Sequence, residues 1–355
     1  MSPFASHPAN VSSDHSAGDA TIRATIRATD IVLTGDRPTG RLHLGHHAGS
    51  LQSRLLLQGH CAQTIVVADL QALTDNAGRP AHVAAHVREV VSDYLAVGLD
   101  PEHTTIALQS RLPALAELTV LYLNLVTVAR LERNPTVRAE IEMRGFARDI
   151  PAGFLCYPVS QAADITGFRA TVVPVGEDQL PMIELSNEIV RRVNRTVGEE
   201  VLPECRAMLS STPRLPGIDG RKASKSLGNA ISLSATSAEV RELVMAMYTD
   251  PGHVRISDPG KVEDNVVFAY LDAFDPATEE VAELKQHYMR GGLGDVPLKR
   301  RLIDVLNDLL EPIRERRMAL AARPGLVDDV IAAGTAVARR ETDAVLADVR
   351  RAFSL

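Results

Sequence analysis

Asp30-Ile-Val-Leu-Thr-Gly-Asp-Arg-Pro-Thr-Gly-Arg-Leu-His-Leu-Gly-His46 reads as a strand over 30–34, a tight turn, and a helix that begins near Gly45. The apolar, β-branched run suits a strand, and Gly35, Pro38 and Gly40 then break it. Small residues at Gly40 and Gly45 let backbone approach a ligand, while a helix N-terminus offers unpaired N–H groups to phosphate. His43 and His46 are placed to donate hydrogen bonds to phosphate oxygens as charge develops there. About 180 residues downstream stands a basic serine loop, Lys222-Ala-Ser-Lys-Ser226. Gly220 and Gly228 bracket it, which suits a loop that opens for a nucleotide and closes over its phosphates. Together the two segments suit chemistry on a nucleoside triphosphate.

Working outward, strand-like runs rich in Val, Ile and Thr recur at 64–68, 104–108 and 171–175. Helical patterns lie between them at about 46–58, 81–97 and 113–130. That alternation predicts an α/β domain with a parallel sheet, its ligands at the carboxyl ends of the strands. After Lys222 the strands stop, and 235–355 reads as helices, with an apolar stripe of Leu302, Leu306, Leu309, Leu310 and Ile313. The expected division is a flexible N-terminus over 1–25, a sheet domain over 26–230 and a helical domain over 231–355, its last helix able to pack back on the sheet.

A chain of 355 residues, 45% hydrophobic, can bury one large core and carry a second, smaller domain. No run is apolar and long enough for a membrane span, and the first 25 residues lack the apolar core of a signal peptide, so a cytoplasmic protein is expected. Cys61, Cys156 and Cys205 are too scattered for a disulfide framework or a metal quartet, and are expected to be buried. His43, His46 and His47 lack further ligands nearby, so no zinc or other metal site is expected. A net charge of -7 argues against a general nucleic-acid coat and against DNA, but leaves room for one shaped RNA. Basic groups cluster at Arg191, Arg192 and Arg195, at Lys299, Arg300 and Arg301, at Arg314, Arg316 and Arg317, and at Arg350 and Arg351. Those around Arg314 and Arg350 are candidate phosphate contacts.

Tyr157, Gln161 and Asp164 stand at helical intervals of four and three. Residues so spaced share a face, so a phenol, an amide and a carboxylate point into one cavity, where a buried acceptor can select a substrate carrying an N–H.

Gly35-Asp-Arg-Pro-Thr-Gly40 followed by His43-Leu-Gly-His46, with Lys222-Ala-Ser-Lys-Ser226, resembles the two signature motifs of the class I aminoacyl-tRNA synthetases. The segments Leu131-Glu-Arg-Asn134, Tyr157-Pro-Val-Ser-Gln-Ala-Ala-Asp164 and Val173-Pro-Val-Gly-Glu-Asp-Gln179 are similar to the tryptophanyl branch, and the likeness runs from residue 30 over nearly the whole chain. The resemblance implies a Rossmann-type catalytic domain, an all-helical anticodon-binding domain and a homodimer. It implies activation of L-tryptophan by ATP with Mg²⁺, then transfer to tRNA(Trp). The catalytic set would be His43, His46, Lys222, Lys225 and Ser226. ATP would lie against Gly35, Arg37, Thr39, Gly45, His46, Gly176, Asp178, Lys222 and Lys225. Tryptophan would be bound by Leu33, Tyr157, Gln161, Asp164, Val173, Val175 and Gln179.

The chain departs from the family pattern in places. Ala223 replaces the commoner methionine, Gln161 stands where many bacterial tryptophanyl enzymes carry methionine, and Leu33 where they often carry phenylalanine. Arg138 and Glu140 stand in place of familiar lysines. The spacing of Tyr157, Gln161 and Asp164 also resembles the pocket helix of tyrosyl enzymes, which remain the alternative within the class. Outside it stand a small-cofactor nucleotidyltransferase, since His-x-Gly-His recurs there, and a non-catalytic RNA-binding paralogue.

Overall fold

The computed structural model describes residues 25–146, 148–209, 215–223 and 227–355. The N-terminal segment expected to be flexible lies almost wholly outside them. Strands β1 (Ile31–Asp36), β2 (Ala62–Val67), β3 (Thr105–Leu108), β4 (Val172–Val175) and β5 (Arg206–Leu209) form one parallel sheet in the order β3-β2-β1-β4-β5. β5 was not legible in the sequence. It is four residues long and begins with arginine, and it owes its place to pairing with β4, from Val172–Arg206 to Val175–Leu209.

Helices cover both faces, and the alternation of side chains says which residue faces which layer. α1 (Leu44–His46) continues through a π-helical turn, His47–Leu51, into α2 (Gln52–Leu57); α3 (Asp69–Asn76) and α4 (Pro80–Val97) follow. Then come α5 (Pro113–Leu123), α6 (Val128–Glu132), α7 (Pro135–Arg144), α8 (Ala152–Gly167) and α9 (Leu180–Val197). Val32 and Val172 pack with Leu57 of α2, and Ile65, Val67 and Ile106 pack with Leu51 and Tyr94. Leu33, Val66, Ala107 and Val173 face the opposite way, toward Leu115 of α5, Ile165 of α8 and Ile183 of α9.

The helix expected over 113–130 is two. α5 ends at Leu123, and α6 starts behind Thr127, whose Oγ1 accepts from Arg130 N at 3.3 Å. Between them the Leu125 carbonyl leaves the helical ladder and accepts from the Arg192 guanidinium of α9 at 2.5 Å. Apolar periodicity continues through the break, and the capping Thr127 is its one local mark beside the arriving arginine.

Beyond the basic serine loop lie α10 (Ser237–Met245), α11 (Val266–Phe274), α12 (Thr278–Arg290), α13 (Asp295–Ala321) and α14 (Leu326–Ala352). Leu302, Leu306, Leu310 and Ile313 of α13 are buried as the stripe predicts, with Leu309 half-buried. They share one core with Leu42, Leu44 and Tyr94 from the first hundred residues. α14 crosses the outer edge of β3. Thr335 Oγ1 accepts from Leu108 N at 3.0 Å, and a Cβ on Gly334 would lie 2.1 Å from the Ile106 carbonyl oxygen. That contact covers an edge strand whose polar backbone would otherwise be open.

The basic clusters lie on helices, but many are engaged within the fold. Arg314 is 12% exposed and donates to Ala235 O, Asn307 and Glu311; Arg316 bonds Ala96 O, and Arg317 pairs with Glu89 and Asp93. The face around Arg314 therefore does not present these groups to RNA. Arg350, half-exposed, pairs with Glu117. Cys61 and Cys205 are buried, while Cys156 is only half-buried. Among the described residues no helix is long and apolar enough to cross a membrane.

Candidate active site

Strand order reverses at β1: the chain moves outward through β2 to β3 on one side and through β4 to β5 on the other. In such sheets a crevice opens outside the carboxyl ends of the two strands at the reversal. Gly35 and the Arg37–Thr39 turn leave the end of β1; Gly176, Asp178 and Gln179 leave the end of β4. The topology therefore brings the residues expected at the ATP to one place, although some 140 positions separate them. Arg37 and Thr39 are exposed there, their turn closed by Thr39 N on Arg37 O at 2.8 Å. Gly35 has a packing reason to be glycine as well, because a Cβ would stand 2.8 Å from the Val66 carbonyl oxygen.

The helix begins at Leu44, one residue before the expected start, and His43 is its N-cap. His43 Nδ1 accepts from Gly45 N at 3.1 Å, and His46 Nδ1 accepts from His43 N at 3.3 Å. A ring nitrogen that accepts a backbone N–H carries no hydrogen, so each neutral imidazole holds its proton on Nε2, where it can donate. The ring centroids are 3.9 Å apart. Gly45 serves this packing directly: a Cβ would meet the His43 ring at 2.9 Å.

The segment that follows the serine loop is bonded to the same place. Leu44 N donates to Ile231 O at 2.9 Å and Leu233 N to Leu42 O at 3.0 Å, bridging His43 to Ser232. Lys222 is exposed and bridges to Pro216, with its carbonyl accepting from Asn229 at 3.2 Å. Gly220 and Gly228 take positive φ of 78° and 65°, a conformation glycine adopts without strain. Lys225 and Ser226 lie outside the described residues.

A group that sequence reasoning missed sits beneath the histidines. Asp36 alternates onto the α2 and α4 side, where its Oδ2 accepts from Arg54 at 2.7 Å and from the Tyr94 hydroxyl at 2.5 Å. Arg54 is 3% exposed and Asp36 19%. Burial alone would raise the Asp36 carboxyl, but the Arg54 guanidinium and the His46 imidazole hold it well below the usual carboxylate range. The result is a fixed anion next to His46.

On the other face, Tyr157, Gln161 and Asp164 all lie on α8, as their spacing predicts. Asp164 is buried, and both its oxygens accept from Gln109 Nε2, at 2.9 and 2.7 Å. Gln109 Oε1 in turn accepts from Gln71 N at 3.1 Å, which settles the orientation of the amide. Burial pushes the Asp164 carboxyl up to about 7, with the Gln109 hydrogen bonds acting in the opposite direction. Gln109 was also missed; its signal was its position directly after β3, at the carboxyl end of a parallel strand. Leu33 and Val173 are buried in the cluster that contains Ile165, and Val175 packs half-buried against it. Burial and the neighbouring Glu140 carboxylate push the Tyr157 phenol up, with Arg37 and Arg144 opposing them. Glu140 thus sits beside a phenol in the position where a lysine is familiar. Gln161 is half-buried. Gln179 donates to its neighbour Asp178 at 3.3 Å, and Thr136 Oγ1 donates to Asp178 O at 2.7 Å.

The arrangement offers two imidazole donors, with the 231–233 segment bonded beside them, on one side of the strand reversal and a buried hydrogen-bond acceptor on the other. The family model described as tRNA synthetases class I (W and Y) matches residues 27–311. The chain is 53% identical over 333 residues to a tryptophan–tRNA ligase of Clostridium longisporum, covering 92% of this chain and 98% of the relative. It is 51% identical over 332 residues to a tryptophan–tRNA ligase of Lactococcus lactis, covering 91% and 97%. Its fold is similar to the crystal structure of tryptophanyl-tRNA synthetase from Campylobacter jejuni complexed with ADP and tryptophan, with a TM-score of 0.78, 25% identity, and 91% and 99% of the two chains covered.

Proposed function

The chain belongs to the class I tRNA synthetases of the tryptophan and tyrosine type, and from that membership we propose that it is a tryptophan–tRNA ligase. The observation that carries the choice of amino acid is the 53% identity to a tryptophan–tRNA ligase over 92% of the chain. In the first step the tryptophan carboxylate attacks the α-phosphorus of ATP, giving tryptophanyl-adenylate and pyrophosphate. In the second, the terminal ribose hydroxyl of tRNA(Trp) attacks the adenylate carbonyl and AMP leaves. Neither step needs a protein nucleophile; positioning and stabilisation of phosphate charge carry the catalysis.

His43 and His46 address the phosphates through Nε2–H, with Lys222, Lys225 and Ser226 on the pyrophosphate side. Gly35, Arg37, Thr39 and Gly45 bound the triphosphate, and Gly176 and Asp178 the ribose. Mg²⁺ arrives on the ATP phosphates. The protein works as a homodimer in the cytoplasm; Val120 of α5 and Val128 of α6, about 60% exposed, offer apolar surface for a second copy. The helices from about 231 read the anticodon end of the tRNA. Pyrophosphate exchange with each of the twenty amino acids tests the reading, and exchange driven by tyrosine but not tryptophan would overturn it. Anticodon-swapped tRNA(Trp) charged as well as the native transcript would remove the anticodon role.

Asp164 accepts the indole N–H, with Leu33, Val173 and Val175 shaping the apolar wall and Tyr157, Gln161 and Gln179 the remaining rim. Phenylalanine offers that carboxylate no donor, and forgoing a hydrogen bond to a charged acceptor that Gln109 already partly satisfies costs about 2 kcal/mol, roughly a thirtyfold preference. In the Asp164→Ala protein, kcat/KM for tryptophan is expected to fall by that order while the phenylalanine background holds. Equal losses would make Asp164 a structural residue only.

The same group sets a pH dependence. Its carboxyl titrates at about 7, and the ionised form is the better acceptor. Tryptophan KM is therefore expected to rise as pH falls from 8 to 6, by about tenfold at most for each unit below 7. A KM flat across that range would show that the carboxyl titrates elsewhere.

A further inference from the structure

His43 is held from behind by the C-terminal helices. Leu42, its neighbour, donates its N–H to Asp93 Oδ2 at 2.7 Å, and Asp93, on α4, is fully buried. Asp93 Oδ1 accepts from Arg317 of α13, whose second nitrogen reaches Glu89 Oε2 at 2.5 Å. Glu89 also accepts from Arg41 Nε at 2.7 Å, so the stretch entering His43 is fixed through its backbone and a side chain. A second route arrives from the other side. The segment bonded to Leu42 and Leu44 ends at Ala235, whose carbonyl accepts from Arg314 Nε at 2.7 Å. Arg314 and Arg317 are three residues apart and lie on one face of α13.

We infer that Arg317 and Asp93 are positioning residues for adenylate formation: through their buried pair, α13 sets the backbone from which His43 and His46 address the ATP phosphates. This rests on the nucleotide role proposed above for the two histidines. Burial drives the Asp93 carboxyl upward, opposed by Arg317 and the Leu42 N–H, so the charged acceptor that grips Leu42 depends on Arg317. Reacting groups tolerate little displacement, and a shift of about 1 Å can cost about 10²-fold in rate. The basic face read from the sequence as a phosphate contact thereby becomes part of the ATP site's support.

The test uses full-length protein with Arg317→Met and the cation-retaining Arg317→Lys. Adenylate formation is followed in single turnovers, each rate expressed per active site titrated by the burst, and ATP affinity is measured calorimetrically. Arg317→Met is expected to slow adenylate formation at least tenfold and weaken ATP binding at least threefold, with tryptophan KM within twofold of wild type. Arg317→Lys is expected to recover to within threefold of the wild-type rate. If Arg317→Met does not fold, the same expectations apply to Arg314→Met, which releases the second route. An unchanged rate per titrated site and unchanged ATP affinity would overturn the inference and leave the pair a purely structural one, as would an equal change in tryptophan KM. If the wild-type protein activates a different amino acid, the tryptophan reading fails, and the ATP affinities still decide the role of Arg317.

Discussion

Replacing His46 by alanine is expected to lower the single-turnover rate of adenylate formation by about 10²–10³-fold, the usual cost of removing one pre-aligned donor to developing negative charge. The residue is pre-aligned in two ways. Its Nδ1 is occupied by the His43 N–H at 3.3 Å, which places the donating hydrogen on Nε2. Its ring also packs edge-on against the His43 ring, centroids 3.9 Å apart, which fixes the direction in which that hydrogen points. The donor matters most when charge builds on the phosphates, so tryptophan affinity should change little. Glutamine, which can bring an amide N–H near the Nε2 position, should recover part of the rate. If His46→Ala formed adenylate at the wild-type rate, the imidazole would have no part in the first step.

Arg54→Met is expected to be the most destabilising single change among the residues near the site, at about 3–5 kcal/mol by urea denaturation at neutral pH, since it strands a largely buried carboxylate. Tyr94 would still donate to Asp36, but one neutral hydrogen bond does not replace the cation. The pH dependence has a definite sign. In wild type the Asp36 carboxyl lies well below its ordinary value, so its stabilising contribution is present at and above the unfolded value of about 4 and is lost only in stronger acid. In Arg54→Met burial acts with less opposition and raises the carboxyl, so the variant should recover stability as pH falls from 7 toward 5. A difference between the two proteins that stays constant over that range would mean that lost packing of the long arginine side chain, and not the stranded charge, dominates. The double change Asp36→Asn with Arg54→Met removes the charge itself and should restore much of the loss.

Much of the site was legible before the fold was known, and the residues show why. His43, His46, Gly35 and Gly45 announce themselves because a strand, a glycine turn and a helix start are local events, each decided within a few residues. Tyr157, Gln161 and Asp164 could be placed on one face because helical periodicity carries through α8 despite Pro158 within it. The parallel sheet followed from alternating patterns, and its strand order then brought the ends of β1 and β4 together without any further signal.

What remained hidden was partnership at long range. Nothing adjacent to Asp36 in the chain reveals that it meets Arg54 and Tyr94, nor does the neighbourhood of Asp164 point to Gln109 or that of Asp93 to Arg317, 224 positions away. β5 and the break after α5 belong to the same class, since one was decided by pairing with β4 and the other by a guanidinium arriving from α9. Sequence by itself determined the local elements, the chemistry-bearing residues and their family. Only the tertiary structure decided which buried charges and carbonyls satisfy one another, because the cost of leaving such a group unpaired is settled by whichever element happens to face it, and that is a property of the packed whole.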